Sequence, residues 1–237
     1  FPMTKNTRNT LNRRGFMAGA AAVSVPLVVP AAVTGKNPPS DRVRMGFIGM
    51  GGQGIGRNMG TFLHQKDALV TAVCDVQKQQ RQRAKQRVDG RYKNKDCRVF
   101  ADFREVLALK DIDAVCISTP DHWHVPLSLA ALDAGYDVMS EKPTLTVAEG
   151  RRLVSAVGKH EAVFQWGIED RSVLKYHKMA EWALNGALGT LKTVRVTLPN
   201  GKKLAKEKPV PVPEGMDWNL WLGPAPFVPY TPTRTRP

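Results

Sequence analysis

Cysteine is scarce: three residues in a chain of 237, at Cys74, Cys97 and Cys116. They make no metal-ligating spacing and no disulfide framework, which excludes a structural zinc or a stapled mini-domain as the basis of the fold. Cys74 and Cys116 fall inside apolar runs and Cys97 at the edge of a short one, so they read as small buried hydrophobes. Histidine is also sparse, with five residues and none after His177. His122 and His124 lack a third ligand beside them, which argues against a metal centre. Acidic residues are missing before Asp41, where Lys5, Arg8, Arg13 and Arg14 stand unopposed. A long unbroken apolar run is missing as well, because Pro26 and Pro30 interrupt the one near the N-terminus. That interruption disfavours a stable membrane-spanning helix.

What is present is ordinary for a soluble globular protein, with 42% apolar and 24% charged residues. The length suits one full domain and part of a second. The net charge of +14 stands out. Part of it belongs to the N-terminal segment and part to a block from Lys78 to Arg98, where only Asp89 and Asp96 oppose Lys and Arg. A nucleic-acid surface is one reading of such a block. It has no interleaved aromatic but Tyr92, so a solvated helix face is preferred and no nucleic-acid partner is expected. Asn12-Arg13-Arg14-Gly15-Phe16-Met17, followed by an Ala- and Val-rich stretch, reads as a secretory signal over residues 1–34. The paired arginines resemble a twin-arginine export signal. Export to the periplasm or another extracytoplasmic space follows, with the export machinery as partner and an uncleaved N-terminal anchor as the alternative. Residues 35–41 read as a linker.

The chain is organised around Val43 to Gly54. An apolar strand breaks into Gly49-x-Gly51-x-x-Gly54, the dinucleotide fingerprint, with Gly52 and Gln53 in the same turn. Gly49 allows the tight turn, Gly51 lets backbone approach a pyrophosphate, and Gly54 lets the next helix pack closely. Ala68 to Asp75 reads as a second buried strand ending in an acid about 20 residues past the glycines, where ribose hydroxyls would lie. A carboxylate there favours NAD over NADP. Lys78 could soften the repulsion of a 2′-phosphate and keeps NADP open.

Onward, strand and helix signals alternate, which predicts an α/β fold: a doubly wound, parallel Rossmann sheet over 42–166 with right-handed crossovers. Arg57 to His64 is expected as the first helix and Gln77 to Val88 as a polar one. After Gly167, Val173 to Asn185 reads as a helix and the alternation Leu191 to Leu198 as a strand with one exposed face. A Pro- and Lys-rich tail follows. One strand and an extended tail cannot bury a second core, so 167–237 reads as the start of an incomplete α+β substrate domain.

Ligands bind at strand carboxyl ends in an open α/β sheet. Those ends are Gly49 to Gly54, Asp75, Ser118-Thr-Pro-Asp-His-Trp-His124 and Glu141-Lys142-Pro143. With Ala134-Gly-Tyr-Asp-Val-Met-Ser-Glu-Lys-Pro143 and Trp218-Asn-Leu-Trp-Leu-Gly-Pro224, they resemble the Gfo/Idh/MocA family of NAD(P)-dependent sugar oxidoreductases from about Arg42 to the chain end. The resemblance implies that Lys142 is catalytic, hydrogen-bonding the reacting sugar oxygen and relaying its proton. It places Glu141 at the nicotinamide ribose, and Pro143 in the turn that aims both. Thr119, Pro120 and His124 would line the cofactor cleft, and Arg171 would reach towards the nicotinamide end. Blander readings stand beside these: a surface ion pair for Glu141 and Lys142, a capping cluster for His122 and His124, and packing or surface roles for Tyr176 and His177.

The family continues through a second domain that supplies a substrate-acting histidine and commonly pairs subunits. Here no histidine follows His177, so the chain is expected to be C-terminally truncated and its full-length parent a homo-oligomer. That parent would move hydride between NAD and the hydroxyl or ketone of a sugar or cyclitol. The alternatives are NAD-dependent glycoside hydrolysis through transient sugar oxidation and elimination, and a nucleotide-binding remnant without turnover.

Overall fold

Six strands form one parallel sheet in the order β3-β2-β1-β4-β5-β6. They are β1 (Val43–Ile48), β2 (Ala68–Cys74), β3 (Arg98–Phe100), β4 (Ala114–Ile117), β5 (Asp137–Glu141) and β6 (Phe164–Gly167). The computed structural model describes residues 41–198 and 207–235; the export signal, and the linker up to residue 40, lie outside them. The strand order reverses between β1 and β4, the switch point at which a doubly wound sheet opens a crevice. The expected α/β architecture is therefore the observed one.

The strands form because they are apolar on both faces. Val115, Cys116 and Ile117 of β4 have no exposed surface, as a central parallel strand covered by helices on each side requires. One layer of core gathers Phe47, Met59, Val70 and Val88, and the other Ile117, Leu127, Leu132 and Leu153. The three cysteines are free and buried in these layers. Burial pushes the Cys97 and Cys116 thiols up to about 12 and that of Cys74 higher still, so none is a ready thiolate.

The helices follow the same logic. The polar helix, α2 (Lys78–Tyr92), buries only Ala84 and Val88 and leaves Lys78, Arg83 and Arg87 exposed, while Arg81, Lys85 and Arg91 reach backbone carbonyls of neighbouring segments. It runs past Val88 to a left-handed Lys93, whose N–H bonds the Asp89 carbonyl. After α3 (Phe103–Leu107), α4 (His124–Asp133) buries Val125, Leu127, Ala131 and Leu132 and stops before Gly135 at φ +89°. For α5 (Val147–His160), Thr146 and Glu149 form a reciprocal capping box. α6 (Leu174–Leu184) follows β6.

Two expectations are corrected. The first helix, α1, begins at Gln53, not Arg57: a π-type segment Gln53–Met59 runs into an α-helical turn Gly60–Phe62. Gly54, expected to let this helix pack closely, lies inside it. Leu191 to Leu198 is not a strand, and Val194, Val196 and Leu198 are exposed. Alternation predicts two faces, but a strand also needs a neighbour for its N–H and C=O groups, and no described strand offers one.

The tail behaves differently from its extended reading. Residues 207–235 include a short helix, α7 (Trp218–Leu222), and bury a small cluster of Trp218, Leu222 and Tyr230. Gln77 and Met216 form an antiparallel bridge beside β2. The helix-to-sheet core dominates stability. Leu132→Ala is expected to cost about 2–5 kcal/mol and Thr146→Ala about 1 kcal/mol, which urea unfolding would read directly.

Candidate functional site

The site is built outward from one close crossing. Gly49 leaves β1 at φ +88° with its N–H bonded to the Cys74 carbonyl at 2.9 Å. A Cβ there would stand 2.6 Å from the Ser118 carbonyl carbon and the Thr119 nitrogen. Only glycine meets both demands. A Cβ on Gly54 would lie 2.0 Å from the Gly49 oxygen, so the first helix is pressed onto the turn. Gly51 and Gly52 are the opposite case: a Cβ on either would meet nothing within 4 Å. Backbone is thus bare towards the cleft where a phosphate must approach it.

A cleft of about 660 Å³ runs from Asp75 across the glycine turn to Thr119, Pro120 and Trp123. Asp75 sits just past β2 and accepts from the Met50 N–H at 2.6 Å and the Gln77 N–H at 2.7 Å. Burial pushes its carboxyl above the usual carboxylate range, against the pull of those amides and of Arg81. Lys78, expected to moderate this acid, instead packs its stem against Gly215. The cation that shares the cleft with Asp75 on this side is Arg83.

A second cleft of about 470 Å³ shares Gln53, Ser118, Thr119 and Asp121 with the first and holds Glu141, Lys142 and His124. Glu141 is buried, and its Oε1 accepts from Gln53 Nε2 at 2.8 Å and Asn58 Nδ2 at 2.9 Å. It is no surface ion pair. Gly167 lies against its carboxylate, where a Cβ would come within 3.0 Å. Lys142 is exposed at this cleft and, among the described residues, makes no hydrogen bond or ion pair. Its ammonium is available to a ligand.

His124 is buried, with Nδ1 3.1 Å from the Pro143 carbonyl and Nε2 2.8 Å from the Thr119 carbonyl. Its ring braces the two turns that carry Lys142 and Thr119. Thr119 Oγ1 is buried without a partner, an open hydrogen-bonding position on the border of both clefts. Arg171 is not brought to this place. It lines a neighbouring groove with Tyr176 and His177; Asp170 borders both that groove and Lys142's cleft, and Glu169 borders the cleft. The carboxyl of Glu169 is held below the usual range by its own backbone amide, with Gln53 and Arg57 adding to it.

Asn58 was missed by sequence reasoning. It links Glu141 to Ser118 Oγ at 2.8 Å. Its one signal was a polar side chain four residues past Gly54, on the face of the helix turned to the sheet. Leu220 and Trp221, inside the Trp218 to Pro224 motif, and Arg234 of the tail also line the larger cleft; the motif was given no place at the site, and no local pattern singled out Arg234.

The bare glycine turn, the unpaired Thr119 hydroxyl and the acid at the end of β2 fit a dinucleotide. A ribose hydroxyl would donate to ionised Asp75. Because the raised carboxyl protonates early on acidification, NAD affinity is expected to fall as pH drops, beginning above the usual carboxylate range. Asp75→Asn should weaken NAD binding about tenfold and flatten that pH dependence, as read by isothermal titration across pH.

Residues 43–168 match the model of a family described as the oxidoreductase family with an NAD-binding Rossmann fold, GFO_IDH_MocA. A glycosyl hydrolase family 109 protein of Shewanella sp. (strain W3-18-1) is 30% identical over 169 residues, 62% of this chain and 37% of that protein. The scyllo-inositol dehydrogenase of Lactobacillus casei, solved with NAD(H) and scyllo-inositol, aligns with a TM-score of 0.56 at 26% identity, over 62% of this chain and 42% of that one. The myo-inositol 2-dehydrogenase of Lactobacillus plantarum shares the fold, with a TM-score of 0.56 at 23% identity over 62% and 42% of the two chains. The chain spans about 37% of the length of the curated relatives it matches. With this sheet order, glycine turn and Glu-Lys-Pro turn, the chain belongs to the Gfo/Idh/MocA family and carries its NAD-binding Rossmann domain.

Proposed function

We propose that the full-length protein is an NAD-dependent oxidoreductase acting on a carbinol or ketone of a sugar or cyclitol. The observation that carries this is Lys142, an exposed ammonium without a described partner beside buried Glu141, at the cleft continuous with the glycine turn. The relatives named as inositol dehydrogenases support the substrate class.

Gly49 to Gly54, Asp75, Thr119 and Glu141 would hold the cofactor, and bound NAD supplies the hydride acceptor. Glu141 is pinned by Gln53 and Asn58, so its carboxylate stays fixed while a ligand binds. In the direction of reduction the Lys142 ammonium would hydrogen-bond the carbonyl oxygen, stabilise the negative charge that grows on it and give it a proton that solvent replaces. In oxidation the neutral amine would accept the hydroxyl proton and return it to solvent. His124 sits between the Lys142 turn and the Thr119 turn, its ring nitrogens 3.1 and 2.8 Å from a carbonyl of each, and fills the space that separates them. NADP remains an alternative cofactor, since Arg83 lies in the same cleft as Asp75.

A second reading is favoured by the family 109 relatives at 30% identity. In it, Lys142 would manage the proton while the glycoside gives up a hydride transiently to NAD, and the aglycone would be eliminated. Water would add to the unsaturated ketone that remains, and the hydride would return, giving net cleavage without net NADH. We further propose that the Arg13-Arg14 segment directs twin-arginine export, and that the parent assembles as a homo-oligomer; both rest on sequence resemblance.

A screen of sugars and cyclitols with the intact protein separates the first two readings: accumulating NADH marks the dehydrogenase, and glycoside cleavage at constant NAD marks the hydrolase. Lys142→Ala should retain NAD affinity and lose rate by about 10²–10⁴-fold; an unchanged rate would remove Lys142 from the chemistry. Arg13→Lys with Arg14→Lys should leave the protein in the cytoplasm on cell fractionation, and undiminished export would reject the signal.

A further inference from the structure

Two motifs have little part in the function above: Asp121-His-Trp-His124, apart from His124, and Trp218-Asn-Leu-Trp-Leu-Gly-Pro224. They are fastened together. His122 Nε2 lies 2.8 Å from the Trp221 carbonyl, and Trp123 Nε1 donates to the carbonyls of Leu220 and Trp221 at 3.0 and 3.2 Å. Gly223, at φ +50°, lies so close to the Trp123 ring that a Cβ would stand 2.1 Å from it. The other end of the segment is tied next to Asp75, where the Lys78 N–H donates to the Gly215 carbonyl at 2.8 Å and the Asp217 N–H to the Val76 carbonyl at 3.2 Å.

Between these ties the segment is stiff. Asp217 caps α7 through the Leu220 N–H at 2.8 Å. Trp218 stacks on Trp221 with centroids 4.7 Å apart, and its indole N–H donates to the Val228 carbonyl at 2.8 Å. The face it turns to the cleft presents Leu220, Trp221 and Arg234 beside Asp75 and Thr119.

We propose that residues 207–235 are a clamp on the nucleotide half of the cofactor site. Leu220 and Trp221 give an apolar wall for the nucleoside, and Arg234 gives a guanidinium for the phosphates common to NAD and NADP. Charge carries the argument for Arg234. Among the described residues, the cleft is otherwise lined by two acids, Asp75 and Asp121, and one base, Arg83. A pyrophosphate brings further negative charge into that cleft, and Arg234 is the cation that offsets it. Guanidinium and phosphate also pair by parallel, charge-assisted hydrogen bonds. The clamp rests on the NAD-binding reading and adds residues to it that lie more than 40 positions past β6.

Isothermal titration of the intact protein with NAD and NADP tests this. Arg234 is exposed, so Arg234→Ala should fold normally, bind both nucleotides about tenfold more weakly, and show a shallower salt dependence. His122→Ala breaks a tie without touching the cleft lining. It should weaken NAD binding too, and make the segment between 207 and 235 easier to cleave by protease, with NAD restoring protection. Unchanged affinity in both variants, with Asp75→Ala losing NAD, overturns the clamp and leaves the NAD site standing. A loss confined to NADP in Arg234→Ala overturns its place at the shared phosphates. No NAD binding by the unmutated protein overturns clamp and site together.

Discussion

The structure depends on the crossing of Gly49 over the Ser118–Thr119 peptide. β1 must leave the sheet against the end of β4 with no side chain between them, because a Cβ would sit 2.6 Å from that backbone. This contact sets the depth of the crevice at the switch point. It brings the glycine turn, the Thr119 turn and Asp75 to one level, and Gly54 presses the first helix onto the same turn. A single methyl group at Gly49 would therefore displace three binding elements at once, whereas Gly51 and Gly52 have open space before them.

From that level the site divides by environment. On the β2 side lie Asp75 and Arg83, in a cleft with apolar walls. On the β5 side the polar groups are interlocked: Asn58 joins Ser118 to Glu141, Gln53 joins Glu141 to Glu169, and Arg57 secures Glu169 at 2.9 Å. A buried carboxylate without donors would be costly. Here two side-chain amides meet Glu141, so it is held in place while neighbouring Lys142 remains free to meet substrate. Rigidity and freedom sit on adjacent residues.

Much of this was readable from local pattern. The fingerprint glycines are legible because their spacing is local, even though the space denied to a Gly49 side chain is taken by the distant Ser118–Thr119 peptide. The sheet is legible because buried parallel strands are short apolar runs separated by helices. Asn58 and the tail's place beside the cleft were not, since the partners that hold them there lie 60 or more residues away and leave no periodic trace. Leu191 to Leu198 shows the limit of alternation, which specifies faces and says nothing about pairing. Arg171 shows a different limit: in a tight turn, a shift of one or two residues decides which side chain meets the cleft, and Glu169 and Asp170 hold that position.

The exposed charge of α2 has a consequence in time as well as in place. Arg81 reaches back to the Asp75 carbonyl at 3.0 Å, Arg83 borders the cleft, and Lys85, Arg87 and Arg91 continue along a helix that buries only Ala84 and Val88. Such a helix contributes little to the core, and its field extends into solvent over about a Debye length, roughly 8 Å at physiological ionic strength. A polyanion diffusing nearby is drawn towards the mouth of the crevice before it touches any residue there, so the helix governs how often a nucleotide arrives more than how long it stays.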